Sequence, residues 1–314
     1  MTNSLQKAEK SNFKRYAFLI IAHTEPELFH ILINQIDNIE NDIYIMVDSK
    51  VDIIPFKNIT TKYSNVYFCD KRVNIKWGEM SQIDAELELF RYASTNSIYD
   101  YYHLISGQDL LIKPISKLNE FIKSHSGHEF LRLGNTAQGK QIAQLRLKHY
   151  HIIPPHFSRS RNIFIRSLYW IPILLQKLLG IKRHVSGTEN LFISSNWCSI
   201  SHSFVKMILK EEQNIRKTFR FSVAMDEMYK PFVAIKHNIL HKCDIEENEH
   251  ADILRKIDWN RGNPYIWTIN DLSELISSTK FIARKFSIKD RQLIEAIYSY
   301  TNDDDCIPNK ELKV

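Results

Sequence analysis

The segment "RFSVAMDEMYKPF", residues 220–232, places two carboxylates, Asp226 and Glu227, side by side at the start of an apolar run with helical spacing. Asp226 is well placed as an N-cap, because a carboxylate there accepts hydrogen bonds from the unpaired N–H groups of a helix end. Glu227 is the better candidate for chemistry, since a carboxylate beside a substrate hydroxyl can remove its proton. A Glu that only complements the helix dipole is the alternative.

The composition bounds the class of protein that could carry such a pair. At 314 residues the chain is long enough to bury a substantial core, and we expect one α/β domain with additions. The net charge of +6 is modest and its Lys and Arg are scattered, which argues against a nucleic-acid binder and suits an anionic ligand or an acidic membrane surface. Four cysteines without a CxxC indicate neither a zinc site nor a disulfide framework.

The elements that must position these residues follow an α/β pattern. Short apolar runs alternate with helical patterns in the first half, which is typical of a mostly parallel sheet covered by helices. We predict strands at "YAFLIIA", "DIYIMV", "NVYFC" and "YYHLI", and helices over 26–38 and 82–93, the second capped by Ser81. Later, "NLFISSNWCSIS" indicates two short strands, Ser201 caps a helix from His202 to about Gln213, and a helical pattern ends near "FIARKF".

Polar side chains follow several of the predicted strands. In sheets of this kind ligands bind beyond the carboxyl ends of the strands, where this chain has His23, Asp48, Asp70 and "SGQD", which ends at Asp109. Neither GxGxxG nor GxxxxGK[ST] occurs in the sequence. Any bound phosphates must therefore be held mainly by side chains.

The most apolar stretch, "IFIRSLYWIPILLQKLLGI", lies within residues 161–183 and is accompanied by Arg161, Arg166, Lys177, Lys182 and Arg183. Its internal proline and charges argue against a membrane-spanning helix. We expect a helix packed in the core, and contact with a membrane surface is the alternative.

The chain contains three separated segments: "SSNWCSISHSFV", "SVAMDEMYKPF", and "LRKIDWNRGNPYIW" followed by "FIARKF". In their order and spacing they resemble the core-2/I-branching β-1,6-N-acetylglucosaminyltransferase family, which also contains the peptide O-xylosyltransferases. Upstream, "FLIIAH", "IYIMVDSK", "IKWGEMSQIDAELELF" and "YYHLISGQDLLIKP" fall where that family has its nucleotide-binding half. The resemblance runs from about Tyr16 to Phe286. It implies a GT-A type nucleotide-diphospho-sugar transferase fold, a UDP-sugar donor, inversion at the anomeric carbon and no required metal.

The resemblance also implies a domain plan. A single GT-A like domain would cover residues 15–300, with a nucleotide-binding half over 15–125 and an acceptor and catalytic half over 126–300. A loose N-terminus, 1–14, and a polar tail, 301–314, would flank it.

The expected independence from metal agrees with the positions of the acidic residues. Most GT-A enzymes hold a divalent ion through an Asp-x-Asp that follows a strand, and the ion stabilises the departing diphosphate. The only Asp-x-Asp here, Asp303 and Asp305, falls in the polar tail and indicates a solvated acidic end. We therefore expect no metal and no cofactor, and cationic side chains must stabilise the leaving group instead.

By the resemblance, Glu227 is the general base and Lys285 in "ARKF" binds the diphosphate. Its arginine partner is expected at Arg261, with Arg255 as the second choice, and Arg284 is a candidate helper. The alternatives are structural: a lysine favoured by a helix end, and arginines solvated on the surface.

Donor-binding positions are implied for four residues of the first half. His23 and Asp48 end predicted strands, where they could hold uracil or ribose, and Trp77 could stack on the base or a sugar. Asp109 could face the donor sugar. A capping Asp, a hydrogen-bonded His and a core Trp are the alternatives for these residues.

For the acceptor, Trp197 in "SNWCSIS" is the candidate aromatic platform, because sugars present apolar CH faces ringed by hydroxyls. The family commonly has Gly-Ser before this position, whereas this chain has Ser195 and Asn196. Glu129 and Arg146 are candidate acceptor contacts.

The resulting hypothesis is an inverting, metal-independent glycosyltransferase that moves N-acetylglucosamine from UDP-GlcNAc to a glycan hydroxyl, in β-1,6 branching. Transfer from UDP-xylose or another UDP-sugar, a non-catalytic glycan- or nucleotide-binding module, and a peripheral membrane scaffold are the alternatives. Animal relatives carry a membrane anchor and many disulfides. We expect this chain to lack both and to act in the cytoplasm on a lipid-linked glycan at the inner membrane face, docked through residues 161–183.

Overall fold

The computed structural model describes residues 15–245 and 253–302. The predicted N-terminal segment 1–14 and nearly all of the predicted tail, including Asp303, Asp305 and Cys306, lie outside the described residues. The division into two halves remains a prediction.

Within the described residues, the central sheet has eight strands in the order β3-β2-β1-β4-β8-β6-β7, with β9 paired to β6. The strands are β1 Tyr16–Ala22, β2 Asn41–Val47, β3 Asn65–Phe68, β4 Tyr101–Ser106, β5 Asp109–Leu111, β6 Glu129–Gly134, β7 Ile193–Ser194, β8 Cys198–Ser201, β9 Cys243–Ile245, β10 Arg255–Ile257 and β11 Ile282–Arg284. Strands β1 to β4 run parallel, whereas β8 is antiparallel to both β4 and β6.

Helices cover both faces of this sheet. They are α1 Pro26–Ile36, α2 Ile54–Lys57, α3 Met80–Asn96, α4 Ile115–Ser124, α5 Ala137–Lys148, α6 Ile163–Leu178, α7 His202–Lys210, α8 Glu212–Phe219, α9 Tyr229–Lys236, α10 Leu272–Ser277 and α11 Arg291–Asn302. The predicted α/β class, with a mostly parallel sheet flanked by helices, is confirmed. The four strands predicted in the first half form within one residue of their expected bounds.

The core is divided by the sheet into two layers. Alternate residues of β1 face the two layers. In one layer Ala17 and Leu19 pack with α3, α7 and α9. In the other, Phe18 and Ile20 pack with α1 and α11. Side chains alternate between the faces of a strand, so a strand covered on both sides must be apolar throughout. This explains why "YAFLIIA" is a continuous apolar run.

A second, three-stranded sheet joins distant parts of the chain in the order β10-β11-β5. Its middle strand, β11, is parallel to β10 and antiparallel to β5, with Arg284 opposite Asp109. The helical pattern predicted to end near "FIARKF" is wrong at that point, because α10 stops at Ser277 and "IAR" is a strand. Helix α11, which follows, was not predicted.

The predicted helix caps have different outcomes. Ser201 caps α7, since its hydroxyl accepts a hydrogen bond from the Phe204 N–H at 3.3 Å, although α7 ends at Lys210 and the chain continues as α8. Ser81 is not an N-cap, because α3 begins at Met80 and the Ser81 hydroxyl accepts from the Lys76 N–H at 2.9 Å.

Most of helix α6 is not in the core, contrary to expectation. Only Tyr169, Ile173 and Gln176 of this helix are buried, and they form one narrow stripe. Among the helices in residues 15–245 and 253–302, none combines the length and hydrophobicity that crossing a bilayer requires.

Candidate active site

A cavity of about 930 Å³ opens beyond the carboxyl ends of β1 and β4. His23, which follows β1, and Gln108, which follows β4, line it together with Lys285 and Trp267. The ends of β1 and β4 and the separate strand β11 thus bring residues more than 260 positions apart to one cavity, where ligands of such sheets bind.

Lys285 is the central cation of this cavity. It directly follows β11, so the alternative that it is a helix-end lysine is wrong. Burial, and then the neighbouring charge of Arg284, lower the pKa of Lys285, while Glu25 and Asp109 oppose them. No hydrogen bond or ion pair engages its ammonium within the described part of the chain, so it can serve an anionic ligand.

Arg284 is fixed by the register between β11 and β5. Its Nη1 donates to Asp109 Oδ1 at 2.8 Å, and Asp109 Oδ2 accepts from the Ser106 N–H at 2.9 Å. Burial raises the pKa of Asp109, and Arg284 opposes that rise. Both oxygens of Asp109 thus have protein partners, and its evident role is to orient Arg284.

His23 and Asp48 lie at adjacent strand ends, as predicted. The Asp48 carboxylate is nearly buried and pairs with Lys50 Nζ at 3.1 Å. Burial and the charge of Lys285 lower the pKa of His23, which favours a neutral imidazole beside the cavity.

Gln108 is a further polar group of the cavity. It is 5% exposed, and its Oε1 has no hydrogen-bond partner among the described residues. A buried amide oxygen without a partner is costly, and a ligand hydroxyl or N–H would satisfy it.

The two predicted arginine partners of Lys285 do not line this cavity. Arg255 is buried and its Nη2 donates to Ser199 Oγ at 2.9 Å, so it belongs to the interior beneath the site. Arg261 pairs with Asp258, Asp271 and Glu274. Within the described residues, the further cations that line the cavity are Lys289 and Arg291, which follow the last segment of the family resemblance.

Glu227 and Asp226 lie in a short 3-10 turn, Met225–Glu227, that follows Ala224 in a left-handed conformation with φ 47°. Asp226 is not an N-cap, because α9 begins at Tyr229 with Met228 as its N-cap. The Asp226 Oδ2 accepts instead from Gln82 Nε2 at 3.0 Å, which ties the turn to α3.

Glu227 meets Arg146, one of the predicted acceptor contacts. Arg146 Nη1 lies 2.5 Å from Glu227 Oε2, and the Glu227 side chain remains 36% exposed. Its other oxygen, Oε1, has no hydrogen-bond partner in the described ranges, and is available to a substrate.

Glu129, the other predicted acceptor contact, is not brought to this site. It is buried and accepts from the Ser201 N–H at 2.8 Å, which places it beside the N-cap of α7. Ser201 pairs with Tyr101, at the start of β4, so Glu129 lies at the opposite end of the sheet from Ser106.

Trp77 lies beside the turn that holds Glu227. The Gly78 carbonyl accepts from the Ala224 N–H at 3.1 Å, and the guanidinium carbon of Arg159 is 3.3 Å from the centroid of the Trp77 ring. Burial lowers the pKa of Arg159, and the charge of Glu227 opposes this shift. Trp77 is absent from the lining of the cavity described above, and its contacts group it with the Glu227 turn.

The segment 194–197, from the last residue of β7 to the residue before β8, connects the two groups of residues, and we call it the connecting loop. At one end Ser194 Oγ donates to the Glu227 carbonyl at 3.2 Å. At the other, the Arg284 guanidinium carbon lies 4.6 Å from the centroid of the Trp197 ring. The loop that carries Trp197 therefore runs from the Glu227 backbone to the Arg284 guanidinium.

The departure from Gly-Ser at positions 195 and 196 has a structural counterpart. Asn196 Oδ1 accepts from Lys230 Nζ at 2.9 Å, and the same ammonium pairs with Glu86 at 2.6 Å. Tyr229 also donates to Glu86. Asn196 thus gives the buried ammonium of Lys230 a hydrogen-bond partner. A buried charge without such partners would destabilise the fold.

Over the described residues, no cluster of three or more His, Cys, Asp or Glu side chains could hold a metal ion. The charged side chains at the site include Glu227 with Arg146 at one end of the connecting loop, and Arg284 with Lys285 at the other. This set can remove a proton at one end and stabilise a new negative charge at the other.

Comparison with known proteins identifies the family of the chain. A model of the Core-2/I-Branching enzyme family matches residues 16–275. The chain belongs to this family. This Core-2/I-Branching enzyme is a glycosyltransferase, as predicted, and a nucleotide-sugar donor and a glycan acceptor follow from the family.

Among solved structures, mouse xyloside xylosyltransferase 1 in its apo form is similar at 7% identity, with 86% of this chain and 97% of the mouse chain covered and a TM-score of 0.39. None of the curated proteins searched matches this Core-2/I-Branching enzyme.

Asp226 should make the stability of this Core-2/I-Branching enzyme depend on pH. It is 6% exposed, and burial and the charge of Glu227 raise the pKa of Asp226 to about 7. The pKa of an Asp in the unfolded chain is about 3.9. At pH values between this and the pKa of Asp226 in the folded state, the folded protein holds a proton that the unfolded chain has released. This stabilisation is complete at low pH and is lost as the pH rises through 7.

We expect Asp226→Asn to remove that pH dependence and to stabilise the fold above about pH 7, by on the order of 1–3 kcal/mol. Urea denaturation at several pH values measures the effect. Asp70→Asn, at an exposed carboxylate, is the control and should leave the profile of the natural chain unchanged. Parallel profiles for Asp226→Asn and the natural chain would contradict the assignment.

Proposed function

We propose that this enzyme transfers N-acetylglucosamine from UDP-GlcNAc to a hydroxyl of a glycan acceptor, in β-1,6 branching, with inversion and without a metal ion. One observation carries the proposal: the connecting loop contacts the Glu227 turn at one end and Arg284, next to Lys285, at the other. These contacts support a base, Glu227, and a diphosphate-binding cation, Lys285, on two sides of one aromatic platform, Trp197.

In the proposed reaction the acceptor oxygen attacks the anomeric carbon from the face opposite the diphosphate. The bond between that carbon and the phosphate oxygen breaks, and its electron pair leaves with UDP. Glu227 Oε1 takes the hydroxyl proton while Arg146 holds Oε2, 2.5 Å away. Arg146 thus fixes the carboxylate in the orientation needed for proton transfer.

Lys285 and Arg284 take the role of an electrophile for the leaving diphosphate. The charge of UDP grows as the sugar departs, and fixed cations in a partly desolvated cavity stabilise it without reorganisation. His23, Asp48 and Gln108 would bind the nucleoside or the sugar at the strand ends, where Gln108 Oε1 is in need of a donor.

The acceptor would lie on the side of Trp197, Trp77 and Arg146. Stacking on indole faces suits the CH surfaces of a sugar, and Arg146 and Arg159 would favour an acceptor that carries negative charge. A lipid-linked glycan at the inner membrane face has this character. The described cysteines, Cys69, Cys198 and Cys243, are buried thiols, which is consistent with a reducing compartment.

The test is transfer by the purified enzyme to glycan acceptors with UDP-GlcNAc, UDP-glucose and UDP-xylose, each with and without EDTA. We expect the highest kcat/KM with UDP-GlcNAc, no loss of activity in EDTA, and a β linkage in the NMR spectrum of the product. Preference for UDP-xylose would replace the donor. Loss of transfer in EDTA with recovery in manganese would refute metal independence, and UDP binding without transfer would indicate a non-catalytic module.

A further inference from the structure

We propose that helix α6 docks on the surface of an anionic lipid bilayer. The outward face of the helix is a row of apolar side chains with helical spacing: Phe164, Leu168, Ile171, Leu175 and Leu178. Phe164 is 79% exposed and Leu178 is 73% exposed. Exposed apolar patches of this extent mark interaction sites, because water disfavours them.

The opposite side of α6 packs against the protein and thereby keeps the apolar face directed outward. Its buried stripe packs on the segment that follows α5, where a hydrogen bond of 2.9 Å joins the Tyr169 hydroxyl to His151 Nδ1. The Gln176 amide also bonds the Tyr150 backbone twice, at 2.8 and 2.9 Å. The apolar face is thus a fixed surface of the fold.

Charge decides which partner fits this surface. Between Glu129 and Glu189 the sequence has ten Lys and Arg residues and no Asp or Glu. The whole chain has a net charge of only +6, so its positive charge is concentrated in the segment that contains α6. Such a segment is attracted to anionic headgroups, while its apolar face enters the region beneath them.

Two cations border the apolar face at a shallow groove of about 350 Å³. Arg166 and Lys177 line it together with Trp170 and Leu174. A bilayer offers the matching pattern, since acyl chains would contact the indole and leucine while phosphates meet the two cations.

A second copy of the chain fits less well. A symmetric dimer formed through this face would bring two acid-free, positively charged segments together, and like charges repel across an interface.

Docking through α6 would also orient the active site. The short 3-10 turn Pro155–Arg159 packs against α6, and Arg159 of this turn lies over Trp77 beside the Glu227 turn. The acceptor side would then face the bilayer, which suits an acceptor carried on a lipid.

The experiment is flotation of the full chain with vesicles of phosphatidylcholine alone or mixed with phosphatidylglycerol. We expect binding to the mixed vesicles that weakens as salt is added. Phe164→Ser/Leu168→Ser/Leu175→Ser should weaken it by at least about 10-fold, and Arg166→Gln/Lys177→Gln by about 5-fold for each cation removed. Ile98→Ser, at a residue 75% exposed outside α6, is the control and should bind as the natural chain does.

Two results would overturn the proposal. One is the absence of flotation with the mixed vesicles, above all if light scattering shows a dimer that the triple Ser variant dissociates, because the partner would then be a second copy. The other is equal binding to both kinds of vesicle with no effect of Arg166→Gln/Lys177→Gln. Docking does not depend on the transfer reaction. The triple variant should keep its activity on a water-soluble acceptor, which also shows that it is folded.

Discussion

Glu227→Gln lowers kcat for sugar transfer by about 10²–10⁴-fold while leaving UDP affinity unchanged, which is the largest effect that we expect in this enzyme. The amide has the shape of the carboxylate and still offers an oxygen to Arg146, which lies 2.5 Å from Glu227 Oε2. It cannot accept the proton of the acceptor hydroxyl. Steady-state kinetics with isothermal titration of UDP would separate the loss of chemistry from any loss of binding.

Glu120→Gln is the matched control for this substitution. Its carboxylate is exposed on α4 and pairs only with Lys117 among the described residues, so transfer should be unchanged. Unchanged kcat in Glu227→Gln would remove Glu227 from the mechanism, and equal loss in both variants would point to an effect of charge in general.

Lys285→Ala lowers kcat by about 10²–10³-fold and also weakens UDP binding, because the cavity loses its central cation as charge develops on the leaving group. Lys285→Arg should restore part of the activity, since a guanidinium also binds phosphate. The pKa of Lys285 is lowered by burial and by Arg284, so its charge is lost at a lower pH than that of an ordinary lysine. The rate should therefore fall on the alkaline side in the natural enzyme and persist to higher pH in Lys285→Arg.

Lys123→Ala, at an exposed lysine near the end of α4, controls for the change in net charge. If the rate falls at the same alkaline pH in Lys285→Arg and in the natural enzyme, the group that titrates there is not Lys285. Full activity in Lys285→Ala would contradict the role of this cation.

The first half of the fold could be predicted because its strands are buried on both faces. Runs such as "YAFLIIA" and "DIYIMV" had to be continuous in apolar residues to fill two core layers, and few other structures suit them. The strand ends then placed His23 and Asp48 together by topology alone. Strand β11 has three residues, too few for any periodicity, so the sequence alone does not distinguish it from the end of a helix.

Other features of the site depend on tertiary contacts that no local pattern contains. Arg159 lies in a polar stretch that resembles any surface loop, and only the fold brings it over Trp77. The resemblance implies Arg261 or Arg255 as partner of Lys285, but a guanidinium can reach partners in several directions: Arg255 bonds the Ser199 hydroxyl, and Arg261 pairs with Asp271. For α6, an apolar composition was compatible with either a core or an interface, and the outcome depends on how much protein covers it.

The contacts of the connecting loop affect where substitutions could change the acceptor preference of this enzyme during evolution. Trp197 touches Arg284, which Asp109 orients, and the residues before it support the turn that carries Glu227. In the proposed reaction, a substitution that adapts Trp197 to a new glycan would therefore also disturb Arg284, which is proposed to stabilise the diphosphate. New acceptor preferences should arise more readily at Trp77 and Arg159, which contact each other and do not line the cavity that holds Lys285.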